Sequence, residues 1–290
     1  MNAFFELSRE YDKMLYCKRH DNNSCNPHFH SHIELVYVMN GEIEVTINNE
    51  TRRLSKGSAA VSSSYDVHHY CTPENSQVYI LLIPLDSVAL IDNIMRGKTF
   101  SSPFMVSNPD TPAFEEAIKW LSHFDDTYAS LTATGYLYVV LGILVARLGL
   151  SERRYEGGST QLIRNILIYM DENYLEDISV DIVAHKFGYN KSYMSRFFNS
   201  HLGFGFSHYL NTLRSRHAAR LIRMTDKSLD EILYLSGFGS VRTFNRSFKD
   251  FYNMAPTEYK RRRAHVETDA DREIDYFAYR WPEHAKEWGE

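Results

Sequence analysis

A helix-turn-helix pattern occurs twice within residues 182–260, about 50 residues apart, and constrains the fold more than any other feature. In each copy a short apolar helix ends at a glycine, Gly188 or Gly237, and a polar turn follows. A new helix then opens and ends in Arg-x-Phe, at Phe198 or Phe248. Glycine permits the left-handed conformation that turns a chain sharply at a helix end. Because the second helix of such a unit can lie in the major groove, the duplication predicts a protein that reads two successive grooves of DNA.

The net charge of −5 is distributed unevenly along the chain. Residues 1–159 carry 13 basic and 19 acidic side chains, residues 160–263 carry 16 and 10, and residues 264–290 carry 3 and 8. The duplicated segment is therefore basic and lies between two acidic segments. This asymmetry favours a polyanionic partner for that segment, and double-stranded DNA is such a partner.

The length of 290 residues, with 43% hydrophobic and 24% charged residues, is typical of a globular protein with two domains. Three cysteines, Cys17, Cys25 and Cys71, are too few for a disulfide framework. The N-terminus lacks the pattern of a signal peptide, and the most apolar stretch, residues 136–150, is short for a membrane span. We therefore expect a cytoplasmic protein that does not bind a membrane.

Residues 28–85 alternate between apolar and polar side chains, as strands do. The segments Glu34–Met39 and Glu42–Ile47 flank Asn40-Gly41, which predicts a hairpin. Further turns are predicted at residues 48–49 and 56–57, and further strands at residues 58–62 and 77–83. This spacing predicts a small barrel or sandwich. The overall expectation is an α+β multidomain protein with an N-terminal β-barrel over residues 1–110.

Helical patterns follow the barrel. An amphipathic helix is expected over Pro112–Ser130, and a helix that is apolar nearly all round over Leu131–Leu150. This pair, residues 111–150, either contributes to a homodimer contact or packs within the chain. Residues 151–158 read as a linker, and residues 159–263 as an all-α domain with helix starts at Asp181, Asp230 and Pro256. Residues 264–290 form an acidic, aromatic C-terminal tail.

The second helix of each unit supplies the side chains expected to reach base edges. They are Lys191, Ser192, Ser195 and Arg196 in the first unit, and Val241, Arg242, Asn245 and Arg246 in the second. Arginine can read guanine with two hydrogen bonds, asparagine can read adenine, and valine can touch a thymine methyl group. Lys249 and the basic residues 260–263 are better suited to phosphates. The alternative role for Arg196 and Arg246 is a structural ion pair with a nearby acid.

Residues 161–263 resemble the arabinose-regulator (AraC/XylS) family of bacterial transcription factors. The resemblance rests on Gly203-Phe-Gly-Phe206, Tyr209-Leu210, Gly237-Phe238, Phe248-Lys249 and Pro256-Thr-Glu-Tyr259-Lys260. It implies transcription regulation by DNA binding, a homodimer, and RNA polymerase as a further candidate partner. Asn253 stands where the family usually has glycine, and Gly205 where it usually has a serine cap. Asparagine also tolerates the left-handed conformation, so the fold is expected to persist.

The spacing of His28, His30, Glu34 and Gly41, followed by His68, resembles the cupin barrel. In regulators of this type such a barrel usually senses a small molecule, so the resemblance implies an effector site, for a sugar or related metabolite, at His28, His30, Glu34 and His68. No cofactor is expected. The alternative is a metal-dependent cupin enzyme with an appended helical domain, in which the same four residues would bind Fe, Mn, Ni or Zn. No other catalytic motif accompanies them, and the chain is not expected to be an enzyme.

Overall fold

The computed structural model describes residues 3–6, 9, 15–72, 75–84, 94–95, 97–107, 110–123, 129–153 and 159–266. The predicted tail therefore lies almost entirely outside the described residues, as does most of the predicted linker. The described part contains twelve strands and nine helices of seven or more residues. None of these helices combines the length and the apolar run that a membrane span requires.

The strands form two sheets of five and one pair. The strands are β1 (Phe4–Phe5), β2 (Tyr16–Asp21), β3 (Cys25–Phe29), β4 (Ile33–Asn40), β5 (Glu42–Ile47), β6 (Glu50–Ser55), β7 (Ala59–Ser62), β8 (His68–Cys71), β9 (Gln77–Ile83), β10 (Lys98–Phe100), β11 (Phe104–Met105) and β12 (Leu150–Glu152). The first sheet has the order β1-β3-β8-β5-β6, the second β11-β7-β4-β9-β2, and β10 pairs with β12. The described strands thus make two stacked sheets rather than a closed barrel. Ser151 and Glu152, which the sequence assigned to the linker, lie in β12.

The hairpin predicted across Asn40-Gly41 is wrong, because β4 and β5 belong to different sheets. Alternate residues of both strands, such as Val36 and Ile43, pack into one core between the sheets. The turn therefore folds β5 across that core instead of beside β4. Gly41 has φ +75°, and a side chain there would lie 3.0 Å from the Ser76 Cα. The hairpin instead joins β5 and β6 at the predicted turn of residues 48–49.

Both faces of the second sheet are buried. One face packs against the first sheet. The other, with Leu35, Val61 and Leu81, packs against helices α1 (Thr111–Ser122) and α2 (Ala129–Leu148). This explains why residues 35–39 of β4 are all apolar instead of alternating. Helix α1 ends at residue 122, not at residue 130 as predicted. At this end the side chains of Ser122 and His123 both donate to the Lys119 carbonyl, at 2.7 Å.

Seven helices make the C-terminal domain. They are α3 (Ser159–Asn173), α4 (Val180–Lys186), α5 (Lys191–Leu202), α6 (Phe206–Met224), α7 (Leu229–Leu235), α8 (Val241–Tyr252) and α9 (Pro256–Val266). The start predicted at Pro256 is confirmed. The starts predicted at Asp181 and Asp230 are wrong by one residue, because Ser179 and Ser228 are the N-caps and each hydroxyl accepts a backbone N–H.

Candidate functional site

The two candidate recognition helices, α5 and α8, begin at polar caps. The Asn190 side chain accepts the backbone N–H of Tyr193 at 2.8 Å, and the Ser240 hydroxyl accepts that of Thr243 at 3.2 Å. Each cap satisfies an N–H group that the first helical turn leaves without a partner. The polar turn therefore fixes where each helix starts and which residues its first turn presents.

All nine residues predicted to contact DNA are exposed: Lys191, Ser192, Ser195, Arg196, Val241, Arg242, Asn245, Arg246 and Lys249. The opposite faces are buried, through Met194 and Phe198 in α5 and Phe244 and Phe248 in α8. Val241 is 54% exposed, although burial of an apolar side chain is favourable. Its apolar surface is therefore left open to a partner.

The alternative role of the two arginines as structural ion pairs finds no support in the described residues. Neither Arg196 nor Arg246 pairs with a carboxylate that the structure describes. The one hydrogen bond of the Arg196 side chain is local, to the Ser192 carbonyl at 3.4 Å. Both guanidinium groups are therefore available to a ligand from solution.

Helix α6 connects the two units, since it packs against α5 on one side and against α7 and α8 on the other. Its Arg214 donates to the carbonyls of Tyr174 and Glu176 at 2.7 and 2.8 Å. Gly237, at the turn of the second unit, has φ +76° and lies against the same carbonyl of Tyr174 and against Arg214. The left-handed conformation predicted at Gly188 and Gly237 is confirmed, and the second turn also lies against the α3–α4 connection, which leads into the first unit.

The N-terminal domain brings together the four residues predicted for the effector site. His28 comes from β3, His68 from β8 and Glu34 from β4, while His30 precedes β4. All four are at most 5% exposed, and their ligand atoms lie within 4.8 Å of one another. The cluster thus joins the two sheets.

Glu34 is the centre of the cluster. Its Oε2 accepts from His30 Nε2 at 3.0 Å and lies 3.4 Å from His68 Nε2. Burial alone would raise the pKa of Glu34, but the two imidazoles outweigh burial and hold that pKa well below its usual range. In the same way, burial would lower the pKa of His68, but Glu34 raises it. The carboxylate and the His68 imidazolium therefore stabilise each other.

His28 is in a different state. Burial, together with the charge of His68, lowers its pKa to about 4, so its ring is neutral near pH 7. Its Nδ1 donates to the Asn26 carbonyl at 2.8 Å, which leaves Nε2 as an acceptor. His28 can thus accept a hydrogen bond from an O–H or N–H group of a ligand, while His68 and His30 donate to Glu34.

A cavity of about 220 Å³ adjoins this cluster. His28 and Glu34 line it, with Glu6, Arg9, His20, Asn23 and Asn26 among the other lining residues. His30 and His68 contact Glu34 from within the protein instead. The sequence did not indicate the cavity residues from the N-terminal segment and β2, because they carry no spacing motif and are brought together only by strand pairing.

The donor set also suits a divalent metal. His28 and His68 each donate Nδ1–H to a backbone carbonyl, at 2.8 Å, so that each Nε2 would be free to ligate a common ion once the metal had displaced the Nε2 proton of His68. This is the usual arrangement of histidines that ligate metals. Two further imidazole and carboxylate donors, His30 and Glu34, complete the set. Cys25 also lines the cavity, but burial raises the pKa of its thiol to about 12, which keeps it protonated.

Comparisons with known proteins place both halves of the chain in described families. The helix-turn-helix domain profile matches residues 183–262, and the cupin domain profile matches residues 19–84. A transposon Tn10 TetD protein of Escherichia coli is 32% identical over 102 residues, which are 35% of this chain and 74% of that protein.

A second relative is an HTH-type transcriptional regulator of Staphylococcus aureus strain MSSA476, 30% identical over 126 residues. The match covers 42% of this chain but only 17% of the staphylococcal protein. Among solved structures, ToxT of Vibrio cholerae with a bound unsaturated fatty acid is 13% identical, with a TM-score of 0.36, over 85% of this chain and 94% of that chain. The chain belongs to the AraC-type helix-turn-helix family of transcriptional regulators, and it carries an N-terminal cupin domain.

Proposed function

We propose that this chain is a sequence-specific DNA-binding transcriptional regulator, and that its N-terminal domain binds a small polar effector. The observation that carries the proposal is the exposure of all nine predicted contact residues on two capped helices whose other faces are buried. A basic segment of net charge +6 supports a polyanionic partner. The predicted roles follow from chemistry: Arg196, Arg242 and Arg246 for guanine, Asn245 for adenine, and Lys249 for phosphate.

A competition experiment tests DNA binding. Labelled duplex carrying the DNA upstream of the gene is titrated with the protein at several salt concentrations, against random duplex as competitor. We expect salt-sensitive binding with a preference of about 10³-fold or more for the specific duplex. Arg246→Ala should reduce that preference, whereas Arg53→Ala should not, because Arg53 is an exposed arginine on β6, outside the helical domain. Equal affinity for both duplexes would contradict the proposal.

The cavity supports a neutral ligand rich in hydroxyl groups, such as a sugar or related metabolite. Its charged side chains already have partners: Arg9 pairs with Glu6 at 3.3 Å, and Glu34 with the two imidazoles. The amides of Asn23 and Asn26 also line the cavity and add neutral hydrogen-bonding groups. A ligand with a full charge would have to displace one of these pairs, and an acyl chain would leave the polar lining without hydrogen bonds.

A thermal-shift screen of the full chain with sugars and small metabolites tests the effector, with oleate as the apolar alternative. A specific ligand at 100 times its Kd stabilises the folded state by about 2.7 kcal/mol. The shift should be lost in His28→Ala and retained in His123→Ala, since His123 is an exposed histidine at the end of α1. Stabilisation by oleate alone, or an equal shift in both variants, would contradict the assignment.

A homodimer is proposed through the exposed side of α2. Leu137, Val140 and Leu144 of this helix are buried against the second sheet and α1, which accounts for one side of the helix. Tyr138 and Val139, on the other side, are 40% and 42% exposed. Sedimentation equilibrium should show a dimer that Val139→Asp converts to a monomer. A monomeric wild-type chain would contradict this part of the proposal.

The metal-dependent enzyme is the second candidate, and the four-ligand cluster is the observation that favours it. Elemental analysis of protein purified without chelator separates the two candidates. A stoichiometric metal that is lost in both His30→Ala and Glu34→Ala would support the enzyme, and substoichiometric metal would support an effector site. DNA binding is measured on the same preparations, because a metal-loaded sensor that binds DNA remains a regulator.

A further inference from the structure

The loop between β7 and β8, residues 63–67, is buried against the helical domain. Arg164 of α3 donates from Nη2 to Asp66 Oδ1 at 3.0 Å and from Nε to the Tyr65 carbonyl. The hydroxyls of Tyr65 and Tyr209, the latter on α6, lie 3.0 Å apart. The side chains of Arg164 and Asp66 are only 6% and 8% exposed, so solvent does little to screen their attraction. This loop therefore holds α3 and α6 against the N-terminal domain.

The same loop is bonded to the histidine cluster. The Tyr65 N–H donates to the His30 carbonyl at 2.7 Å, and His68 Nδ1 donates to the Asp66 carbonyl at 2.8 Å. His30 and His68 are the two imidazoles that contact Glu34. Two short chains of hydrogen bonds thus connect the Glu34 carboxylate, on the cavity wall, to the loop residues that hold Arg164.

The loop is also held in one shape. Tyr65 is fully buried and has φ +64°, a left-handed conformation that a residue other than glycine adopts only when its surroundings impose it. Asp66 accepts the Ser63 N–H at 2.9 Å and the Asn48 amide at 3.1 Å. A segment this constrained cannot absorb a shift at one end by deforming locally, so displacement of His68 or His30 has to move Tyr65 and Asp66.

We propose that the β7–β8 loop couples the histidine cluster to the helical domain. A change at Glu34 alters how firmly the loop holds Arg164 of α3 and Tyr209 of α6. The inference rests on the proposed function insofar as the effector binds at the cluster. It adds a route by which occupancy of that site changes the freedom of α3 and of α6, the helix against which the recognition helices α5 and α8 pack. The coupling is the amount by which a change at the cluster alters the free energy of the contact between the loop and helices α3 and α6.

Hydrogen–deuterium exchange of the full chain tests the coupling without knowledge of the effector. Four proteins are compared: wild type, Glu34→Gln, Asp66→Asn and the double variant. Glu34→Gln removes the charge at the centre of the cluster and should speed exchange in α3 by about fivefold or more, the low end of typical coupling between two sites. Asp66→Asn should speed it at least as much, and the double variant should show no further increase, because both changes act through one connection.

Two further variants make the result decisive. Glu115→Gln is the matched control, because it removes a carboxylate charge that pairs with Lys119 on the far side of the second sheet, so it should leave α3 unchanged. Tyr65→Phe removes only the hydroxyl that meets Tyr209, so it tests the interface even when Asp66→Asn folds poorly, and exchange should rise at the start of α6. Circular dichroism confirms that each variant is folded.

Three outcomes would overturn the inference: an effect of Glu34→Gln confined to β3, β4 and β8, an unchanged α3 and α6 in both Asp66→Asn and Tyr65→Phe, or multiplicative effects in the double variant. These outcomes are independent of DNA binding. A chain that shows the coupling and binds no specific DNA would contradict the proposed function alone, and a specific DNA binder without the coupling would contradict this inference alone.

Discussion

Alanine at the two turn glycines should have very different costs, although both glycines have almost the same backbone conformation. Gly188 has φ +78° and Gly237 has φ +76°. In both places the left-handed conformation of alanine lowers the free energy of unfolding by about 1–2 kcal/mol. Alanine also restricts the unfolded chain, which raises the free energy of unfolding by about 0.4–1 kcal/mol. Conformation alone therefore predicts a loss of about 1 kcal/mol at each site.

Space distinguishes the two sites. A Cβ at Gly188 meets no atom within 4 Å, whereas a Cβ at Gly237 lies 2.9 Å from Arg214 Nε and 3.1 Å from the carbonyl oxygens of Tyr174 and Leu175. Two of these three neighbours are backbone atoms and cannot rotate away, so overpacking adds about 1–3 kcal/mol. We expect Gly188→Ala to cost about 1 kcal/mol and Gly237→Ala about 2–4 kcal/mol.

Urea unfolding of the full chain, followed by circular dichroism, measures both losses as changes in the free energy of unfolding at constant m. Gly237→Ala should also weaken specific DNA binding more than Gly188→Ala, because it displaces Arg214, which joins α6 to the connection that leads into the first unit. Equal losses of stability in the two variants would contradict the packing of Gly237 against that connection.

Three further outcomes are expected. Arg246→Ala should lose about 1–3 kcal/mol of discrimination at one base pair, whereas Lys249→Ala should weaken all sequences alike and reduce the slope of log K against log salt by about 1, both read by fluorescence anisotropy; identical effects would contradict the assigned roles. Ser228→Ala removes the cap of α7 and should lower the free energy of unfolding by about 1 kcal/mol, and an unchanged value would contradict the capping box. Burial raises the pKa of Glu115, but the hydrogen bond from Lys119 lowers it, and the net result is a pKa below the usual 4.5. The stability advantage of the wild type over Glu115→Gln should therefore be present above pH 4.5 and lost as the pH falls through the folded-state pKa, which thermal unfolding at a series of pH values measures. An advantage that grows on acidification would contradict the sign.

The helical half could be predicted from the sequence because its signals are local. A glycine at a helix end, a polar cap and an apolar face of period 3.6 fix α5 and α8 without reference to distant residues. The starts predicted at Asp181 and Asp230 were wrong by one residue, because a serine two residues before each aspartate caps the helix. Local signals thus give the element and miss its first residue.

The sheet half was harder to predict because pairing is decided by distant residues. The turn signal at Asn40-Gly41 is real, but only the shared core decides that β4 pairs with β7 and β9 while β5 pairs with β6 and β8. The histidine cluster could be found, since four residues of suitable chemistry stand at a recognisable spacing. The two members of the Arg164–Asp66 pair are 98 positions apart in the sequence, and no pattern marks them. The two residues meet only because the helical domain packs against the N-terminal domain.

Selection from a pool of randomised duplexes shows whether α5 and α8 read two successive grooves, since it requires no knowledge of the operator. The full chain should enrich a site with two blocks of sequence about 10–10.5 base pairs apart, the distance between successive major grooves on one face of DNA. Arg196→Ala should relax one block and Arg246→Ala the other. Enrichment of a single block that neither variant changes, or no enrichment at all, would contradict the reading of two grooves by α5 and α8.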